Sequence, residues 1–196
     1  MEQRLFMTHN LVGNWKAGWA LDLHTLSSIL NSDGSYTSTR SDIGEALFLL
    51  KYRSDNSQIE YLKDKLVEFL KTRLVLPYID VIIPVPASAT RNVQPVYEIC
   101  KLVGNELNIA VDLSFIKKIK STQQLKSIED PNQRKAIIEG AFDVIDIDKY
   151  KNKKILIIDD LFRSGTTVNE LTDTLLNKAS VGNVYIVTLT KTRSNR

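Results

Sequence analysis

Hydrophobic residues in the second half of the chain alternate between short continuous runs and helical spacing. The runs predict buried strands at 80–86, 109–116, 153–159 and 184–190. Between them, apolar residues recur every three or four positions, which predicts helices at 92–107 and 168–178. Strands that alternate with helices favour an α/β fold, with a mostly parallel, twisted sheet and helices on both faces.

The first part of the chain lacks this alternation. Its patterns predict a hairpin around Gly13 and Asn14, a loop over 30–42, and a short helix over 43–52 that Asp42 caps. A clearer helical pattern follows at 58–74. We therefore expect a small, irregular N-terminal extension, 1–55, and an α/β core, 56–196.

The stretch 155–176, ILIIDDLFRSGTTVNELTDTLL, joins a predicted strand to a predicted helix. Asp159 and Asp160 follow four branched apolar residues. A loop of small and hydroxyl residues comes next: Ser164, Gly165, Thr166 and Thr167. Glycine permits a tight turn, and the free N–H groups at the start of a helix attract an anion. The loop therefore predicts a pocket for a phosphate monoester, at the sheet edge where α/β proteins bind ligands.

Two carboxylates beside such a pocket would repel a phosphate unless the ligand offers donors or a cation there. A ribose diol donates hydrogen bonds to carboxylates, and Mg²⁺ binds them directly or through water. A sugar with a phosphate on its 5′ carbon would span both features. The alternative is that Asp159 and Asp160 are ordinary polar residues at the end of a strand. P-loop, dinucleotide-binding and nucleophile-elbow motifs are absent from the sequence.

Composition narrows the class of protein. The chain has 196 residues, 43% hydrophobic and 25% charged, which is ordinary for a globular domain. The net charge of +3 is mild and does not by itself indicate nucleic-acid binding. The single cysteine, Cys100, excludes an intrachain disulfide framework. We find no apolar run of about 20 residues and no signal-peptide core, so we expect no membrane span and a cytoplasmic location.

The string ILIIDDLFRSGTT resembles the phosphoribosyl-diphosphate (PRPP) binding motif of type I phosphoribosyltransferases. The resemblance implies that Asp159 and Asp160 contact the ribose hydroxyls and attract Mg²⁺, directly or through water. It also implies that the following loop binds the 5′-phosphate through Arg163, Ser164, Gly165, Thr166 and Thr167.

Further segments resemble the ComF-like, competence-associated branch of this superfamily. They are, in order, LLKYRSD, DVIIPVPAS, RNVQPVYEI and STQQLKSIEDPNQRKAIIEGAFDV, and the match runs from about Gly44 to the C-terminus. The four-cysteine zinc module usual in that branch is missing. Purine-salvage members generally carry an Asp where this chain has Arg163. An arginine cannot act as a base, so a hypoxanthine or guanine acceptor is disfavoured.

The resemblance assigns two further loops. The loop after the strand at 80–86 would face the diphosphate through Ala87, Ser88, Ala89 and Arg91, the alternative being a simple strand-exit turn. The polar stretch 117–135 matches the mobile catalytic loop of the family, and Lys120, Lys126 and Arg134 would close over the diphosphate. The alternative is a plain surface loop. The extension would be the hood over the acceptor, although Trp15 and Trp19 are also explained by core packing and His24 by a structural role.

The resemblance thus implies a Mg²⁺-dependent transfer of phosphoribosyl from PRPP to a small nitrogen acceptor, with release of diphosphate. The catalytic residues would be Asp159, Asp160, Lys120 and Arg134. One alternative is a PRPP- or nucleotide-binding regulator without turnover. Another is a nucleic-acid accessory of DNA uptake, suggested by family context and the basic C-terminus. A homodimer is compatible with the resemblance, and the sequence does not specify the acceptor.

Overall fold

The computed structural model describes residues 8–87, 94–120 and 130–193, including all side chains of these ranges except those of residues 131, 132, 134 and 135. The strands are β1 (His9–Asn10), β2 (Ala17–Leu23), β3 (Thr25–Leu30), β4 (Tyr36–Arg40), β5 (Val81–Pro84), β6 (Ala110–Val111), β7 (Ile116–Lys118), β8 (Phe142–Val144), β9 (Lys154–Phe162) and β10 (Asn183–Lys191). The helices are α1 (Asp42–Tyr52), α2 (Gln58–Lys71), α3 (Pro95–Leu107), α4 (Pro131–Ile138) and α5 (Thr166–Asp173). A 3₁₀ turn lies at Leu76–Tyr78, and a π-helical turn at Thr174–Lys178 continues α5.

The central sheet has the strand order β1-β2-β10-β9-β5-β6. All its neighbouring strands pair parallel except β1 and β2. Ile155 and Ile157 of β9 belong to the core under α5, whereas Leu156 and Ile158 belong to the core under α1, α2 and α3. Successive side chains of a strand point to opposite faces, so a continuous apolar run can bury both. The predicted α/β fold, a mostly parallel sheet with helices on both faces, is confirmed.

The N-terminal part is more regular than its sequence indicates. Residues Ala17–Leu23 pair in parallel with β10, so this part of the predicted extension lies in the central sheet. The stretch 30–42, expected to be a loop, includes β4, which pairs antiparallel with β3. Cross-strand contacts such as the Ser28–Ser38 hydroxyl pair at 2.9 Å support this ribbon, and the turn signals of the sequence mark only its tip.

Several predicted boundaries are wrong for local reasons. Ser41, and not Asp42, caps α1, because its Oγ accepts the Gly44 N–H at 3.0 Å. The predicted strand at 109–116 is divided into β6 and β7, since the Asp112 carboxylate accepts the N–H groups of Ser114 and Phe115 and turns the chain. Strand β9 continues to Phe162, beyond the predicted end.

The polar stretch 117–135 also has more order at its ends than a plain loop. Strand β7 pairs antiparallel with β8, and α4 begins at Pro131. The described ends of the stretch therefore belong to β7 and to α4. Within the described ranges, we find no helix of the length and apolar character needed to cross a membrane.

Candidate active site

The strand order of the sheet reverses between β5 and β9, although the two strands are parallel. From β5 the chain passes to β6 on one side and then to β9 on the other. In parallel α/β sheets such a switch point opens a crevice at the carboxyl ends of the two strands. The described residues after β5, 85–87, and the loop after β9 therefore lie at the same edge of the sheet.

Asp159 and Asp160 lie inside β9, near its carboxyl end, and both are half-buried. The Asp160 N–H donates to Asp159 Oδ1 at 2.8 Å. Burial raises the pKa of Asp159, and the neighbouring Asp160 carboxylate raises it further, against the opposing effects of this hydrogen bond and of Lys51. A carboxyl group whose charged form is disfavoured is suited to exchange hydrogen bonds with a neutral hydroxyl, such as one of a ribose.

Lys51, in the last turn of α1, forms an ion pair with Asp160 Oδ2. The two side chains are only 19% and 18% exposed. A carboxylate has two oxygens with several lone pairs, so Oδ1 of Asp160 remains able to accept from a ligand. Lys51 was not among the site residues predicted from the sequence. The available signal was its position four residues after the buried Leu47, which places Lys51 near the inward face of the helix.

The backbone of Asp160 is held from the neighbouring strand. Thr190 Oγ1 donates to the Asp160 carbonyl at 3.1 Å and lies 3.4 Å from His24 Nδ1. Burial lowers the pKa of His24, and Arg40 and Lys51 lower it further. His24 therefore lies at the edge of the acid pair as a neutral imidazole at pH 7.

The predicted phosphate loop makes a tight turn into α5. Gly165 has a φ of +77°, and a Cβ at this position would lie 2.8 Å from Phe162 Cζ. Ser164 Oγ and Thr166 Oγ1 lie 2.8 Å apart, Thr167 is half-buried, and Arg163 is exposed. The loop thus presents hydroxyl groups at the positive end of a helix, which is favourable for an anion.

The N-terminal loop, which joins β1 to β2 over residues 11–16, packs behind this turn. Trp15 meets Phe162 edge to face, with ring centroids 6.1 Å apart, and is 8% exposed. Trp19 contacts Phe69 on the other side of the sheet, at 6.0 Å between centroids. Trp15 therefore packs in the core, and Trp19, which is partly buried, packs against it. Core packing is the alternative that the sequence left open beside a hood role.

The other predicted residues are only partly described. The Ala87 N–H donates to the Tyr97 hydroxyl at 3.4 Å. Lys120 Nζ donates to the Glu139 carbonyl at 2.7 Å, so this lysine lies at the base of the predicted catalytic loop. Gly140 N–H donates to Glu170 Oε1 at 2.7 Å and joins that base to α5. The remaining predicted positions lie outside the description: Ser88, Ala89, Arg91, Lys126 and the side chain of Arg134.

The acid pair does not fit a magnesium site made by the protein alone. Among the described residues, we find no group of three or more His, Cys, Asp or Glu able to hold a metal. Asp159 and Asp160 offer two carboxylates, and one of these is already paired with Lys51. Mg²⁺ requires a near-octahedral set of oxygens and usually takes several from water and substrate phosphates. We therefore assign no reaction step to a metal held by these residues.

The model of the phosphoribosyl transferase domain family matches residues 79–196. The chain belongs to this family. The matched range includes both β5 and β9, the acid pair and the loop before α5. The predicted membership of the phosphoribosyltransferase superfamily is thereby confirmed, as is the enzyme class, with no acceptor specified.

Several solved structures resemble the chain at low identity. UMP synthase of Leishmania donovani is 15% identical with a TM-score of 0.41, over 84% of this chain and 28% of its own length. A hypoxanthine phosphoribosyltransferase from Staphylococcus aureus is 19% identical with a TM-score of 0.42, over 70% of this chain and 67% of the other. Orotate phosphoribosyltransferase from Aeropyrum pernix is 13% identical with a TM-score of 0.39, over 84% and 86%. No curated protein matches the chain.

Proposed function

We propose that this chain transfers the phosphoribosyl group of PRPP to a small nitrogen acceptor and releases diphosphate, as a step of nucleotide metabolism. The observation that carries the proposal is the placement of Asp159, Asp160 and the Gly165 turn on one strand end at the switch point, inside the family match. A ribose with a 5′-phosphate needs acceptors for its hydroxyls and donors for its phosphate, and these groups are adjacent here.

In this proposal, the loop from Arg163 to Thr167 binds the 5′-phosphate, and the ribose hydroxyls donate to Asp159 and to Oδ1 of Asp160. The anomeric carbon would then face the crevice toward the residues that follow β5, where the diphosphate leaves. Departure of the diphosphate generates an oxocarbenium-like state, as in the cleavage of glycosides. The acid pair holds the sugar ring in position while this charge develops. The acceptor nitrogen attacks the same carbon and gives up its proton to the departing diphosphate or to water.

Magnesium enters this scheme with the substrate, as the Mg²⁺ complex of the PRPP diphosphate. The acceptor is a nucleobase or an amine. Arg163 is permanently protonated and exposed, so it offers no base to the acceptor nitrogen. We propose that the protein works mainly by positioning the two reactants, and that residues of the loop 117–135, such as Lys120 and Arg134, close over the diphosphate.

Incubation with PRPP, Mg²⁺ and a panel of nucleobases and amines tests the proposal. Release of diphosphate that depends on the acceptor supports a phosphoribosyltransferase. Saturable binding of PRPP without release would instead support the PRPP-binding regulator. Salt-dependent binding of single-stranded DNA that persists in excess PRPP would support the DNA-uptake accessory.

The finer placement in the ComF-like branch stays a proposal that rests on the quoted segments. The same holds for the cytoplasmic location, for a homodimer, and for a functional division near residue 55. In the extension, β2 belongs to the central sheet, and only the ribbon of β3 and β4 forms a separate two-stranded sheet.

A further inference from the structure

The ion pair between Lys51 and Asp160 puts a positive charge of the protein beside an acid that, by the proposed function, faces the ribose. The ammonium group lies against Oδ2, and both side chains are more than four-fifths buried. This pairing links the end of α1 to the carboxyl end of β9, two elements far apart in sequence. The LLKYRSD segment, which the proposed function leaves without a role, supplies the lysine.

Arg40 and His24 are two further ionisable groups in this part of the site. Arg40 pairs with Glu45 at 2.9 Å and lies over the Phe48 ring at 3.7 Å from its centroid. His24 contacts Thr190 and is neutral at pH 7 for the reasons given above. Among the described residues, Lys51 is the cation that forms an ion pair with Asp160.

A lysine in this place has a consequence for metal binding. A divalent cation that bound the acid pair would lie within a few ångströms of the Lys51 ammonium, where repulsion between like charges is strong in a half-buried site. It would also find only one carboxylate of the pair without an ion-pair partner, that of Asp159. Both effects oppose a metal held by the protein before the substrate arrives.

We propose that Lys51 is the resident cation of the ribose site: it occupies the place beside Asp160 that a divalent ion would otherwise take, so that the protein binds the metal only together with PRPP. This inference rests on the proposed function. PRPP would bring its own diphosphate oxygens to hold the metal. Lys51 is thus a positioning residue that holds the Asp160 carboxylate at the ribose site through their ion pair.

Titration of the PRPP-free protein with Mn²⁺, followed by electron paramagnetic resonance, tests the inference without any turnover. Mn²⁺ serves as the probe because it shares the oxygen preference of Mg²⁺. We expect no stoichiometric site in the unaltered protein or in Lys51→Arg, which keeps the charge. Lys51→Met and Lys51→Gln should each gain one Mn²⁺ site and bind Mn²⁺ at least tenfold more tightly than the unaltered protein. Adding Asp160→Asn to either variant should abolish that site. Lys51→Gln keeps a donor for Asp160, so it provides a folded variant if Lys51→Met unfolds.

Lys178→Met is the matched control, because Lys178 also pairs with an aspartate, Asp143, at 3.3 Å but in an exposed position away from the site. It should gain no Mn²⁺ site. One equivalent of Mn²⁺ bound by the unaltered protein and lost in Asp160→Asn would overturn the inference, as would a folded Lys51→Gln that binds none. Either result leaves the proposed function standing, since the diphosphate-release assay measures that separately.

Discussion

Asn14 and Asn169 hold one another by two hydrogen bonds, although 155 positions separate them in the sequence. The Asn14 N–H donates to Asn169 Oδ1 at 3.1 Å, and Asn14 Nδ2 donates to the Asn169 carbonyl at 2.8 Å. Asn169 also lies close to the Gly165 turn: a Cβ added to Gly165 would lie 3.2 Å from Asn169 Nδ2. The N-terminal loop is therefore fastened to the first turns of α5, directly behind the predicted phosphate loop.

Replacing Asn169 with Ala should weaken this support. We expect the free energy of unfolding to fall by about 1 kcal/mol, the usual value of a lost hydrogen bond, and ribose 5-phosphate to bind less tightly because the Gly165 turn loses a packing neighbour. Urea denaturation and calorimetry measure the two effects. Asn105→Ala, at an exposed position of α3, is the control. Equal ribose 5-phosphate affinity in the two variants would argue against the supporting role.

Gly165→Ala should abolish phosphate binding. The new Cβ would meet the Phe162 ring at 2.8 Å, and the φ of +77° is strained for alanine, so the loop must change its path. The control is Gly34→Ala, where φ is +79° but no atom lies within 4 Å of the added Cβ. Both variants carry the backbone strain of about 1 kcal/mol, and only Gly165→Ala carries the clash. Calorimetry with ribose 5-phosphate would contradict this if Gly165→Ala bound as tightly as Gly34→Ala.

The two acids should differ in their effect on stability. Asp160→Asn leaves the Lys51 ammonium half-buried without its carboxylate, and we expect a loss of about 2 kcal/mol, less than for a fully buried pair. Asp159→Asn should change stability little, because burial already disfavours the charge at this position. Both should lower the affinity for ribose 5-phosphate. Chemical denaturation of the two single variants decides the point, and equal losses of stability would refute the assigned pairing.

The lowered pKa of Asp112 predicts that the stability of the protein depends on pH. Burial alone would raise its pKa, but hydrogen bonds from Lys149, the Ser114 N–H and hydroxyl, and the Tyr150 hydroxyl outweigh burial and lower the pKa to about 2. A folded-state pKa below the unfolded value means that the carboxylate stabilises the protein above pH 4, and that this contribution is lost as the pH falls from about 4 to 2. Asp112→Asn should therefore be less stable at pH 7 by about 1–2 kcal/mol, with the difference shrinking below pH 4.

Urea midpoints measured between pH 7 and pH 2.5 test this dependence. Asp173→Asn, at an exposed position, serves as the control and should follow the unaltered protein throughout. A difference between Asp112→Asn and the unaltered protein that stayed constant down to pH 2.5 would show that the carboxylate charge is not responsible.

The sequence predicted the elements whose signals are local. The apolar run before Asp159 indicates a buried strand, and the small residues around Gly165 indicate a turn into a helix, so the fold class and the order of strand, acid pair, loop and helix could be read directly. The ribbon of β3 and β4 was missed, because its Ser and Thr residues resemble loop composition and its pairing depends on contacts between strands. The division between β6 and β7 was missed because it depends on one side chain, Asp112, turning the backbone.

The sequence by itself determined which groups are contiguous at the candidate site: two carboxylates, a glycine that permits a tight turn, and hydroxyls at a helix start. These lie within a few residues of one another, so their spacing is fixed by covalent geometry. Only the tertiary structure decided their surroundings. It placed Lys51 against the Asp160 carboxylate, Thr190 against the Asp160 carbonyl, and His24 against the Thr190 hydroxyl. It also placed Asn14 behind the phosphate loop. These partners come from other strands and helices, and their identities follow from the packing of whole elements, which no local pattern encodes.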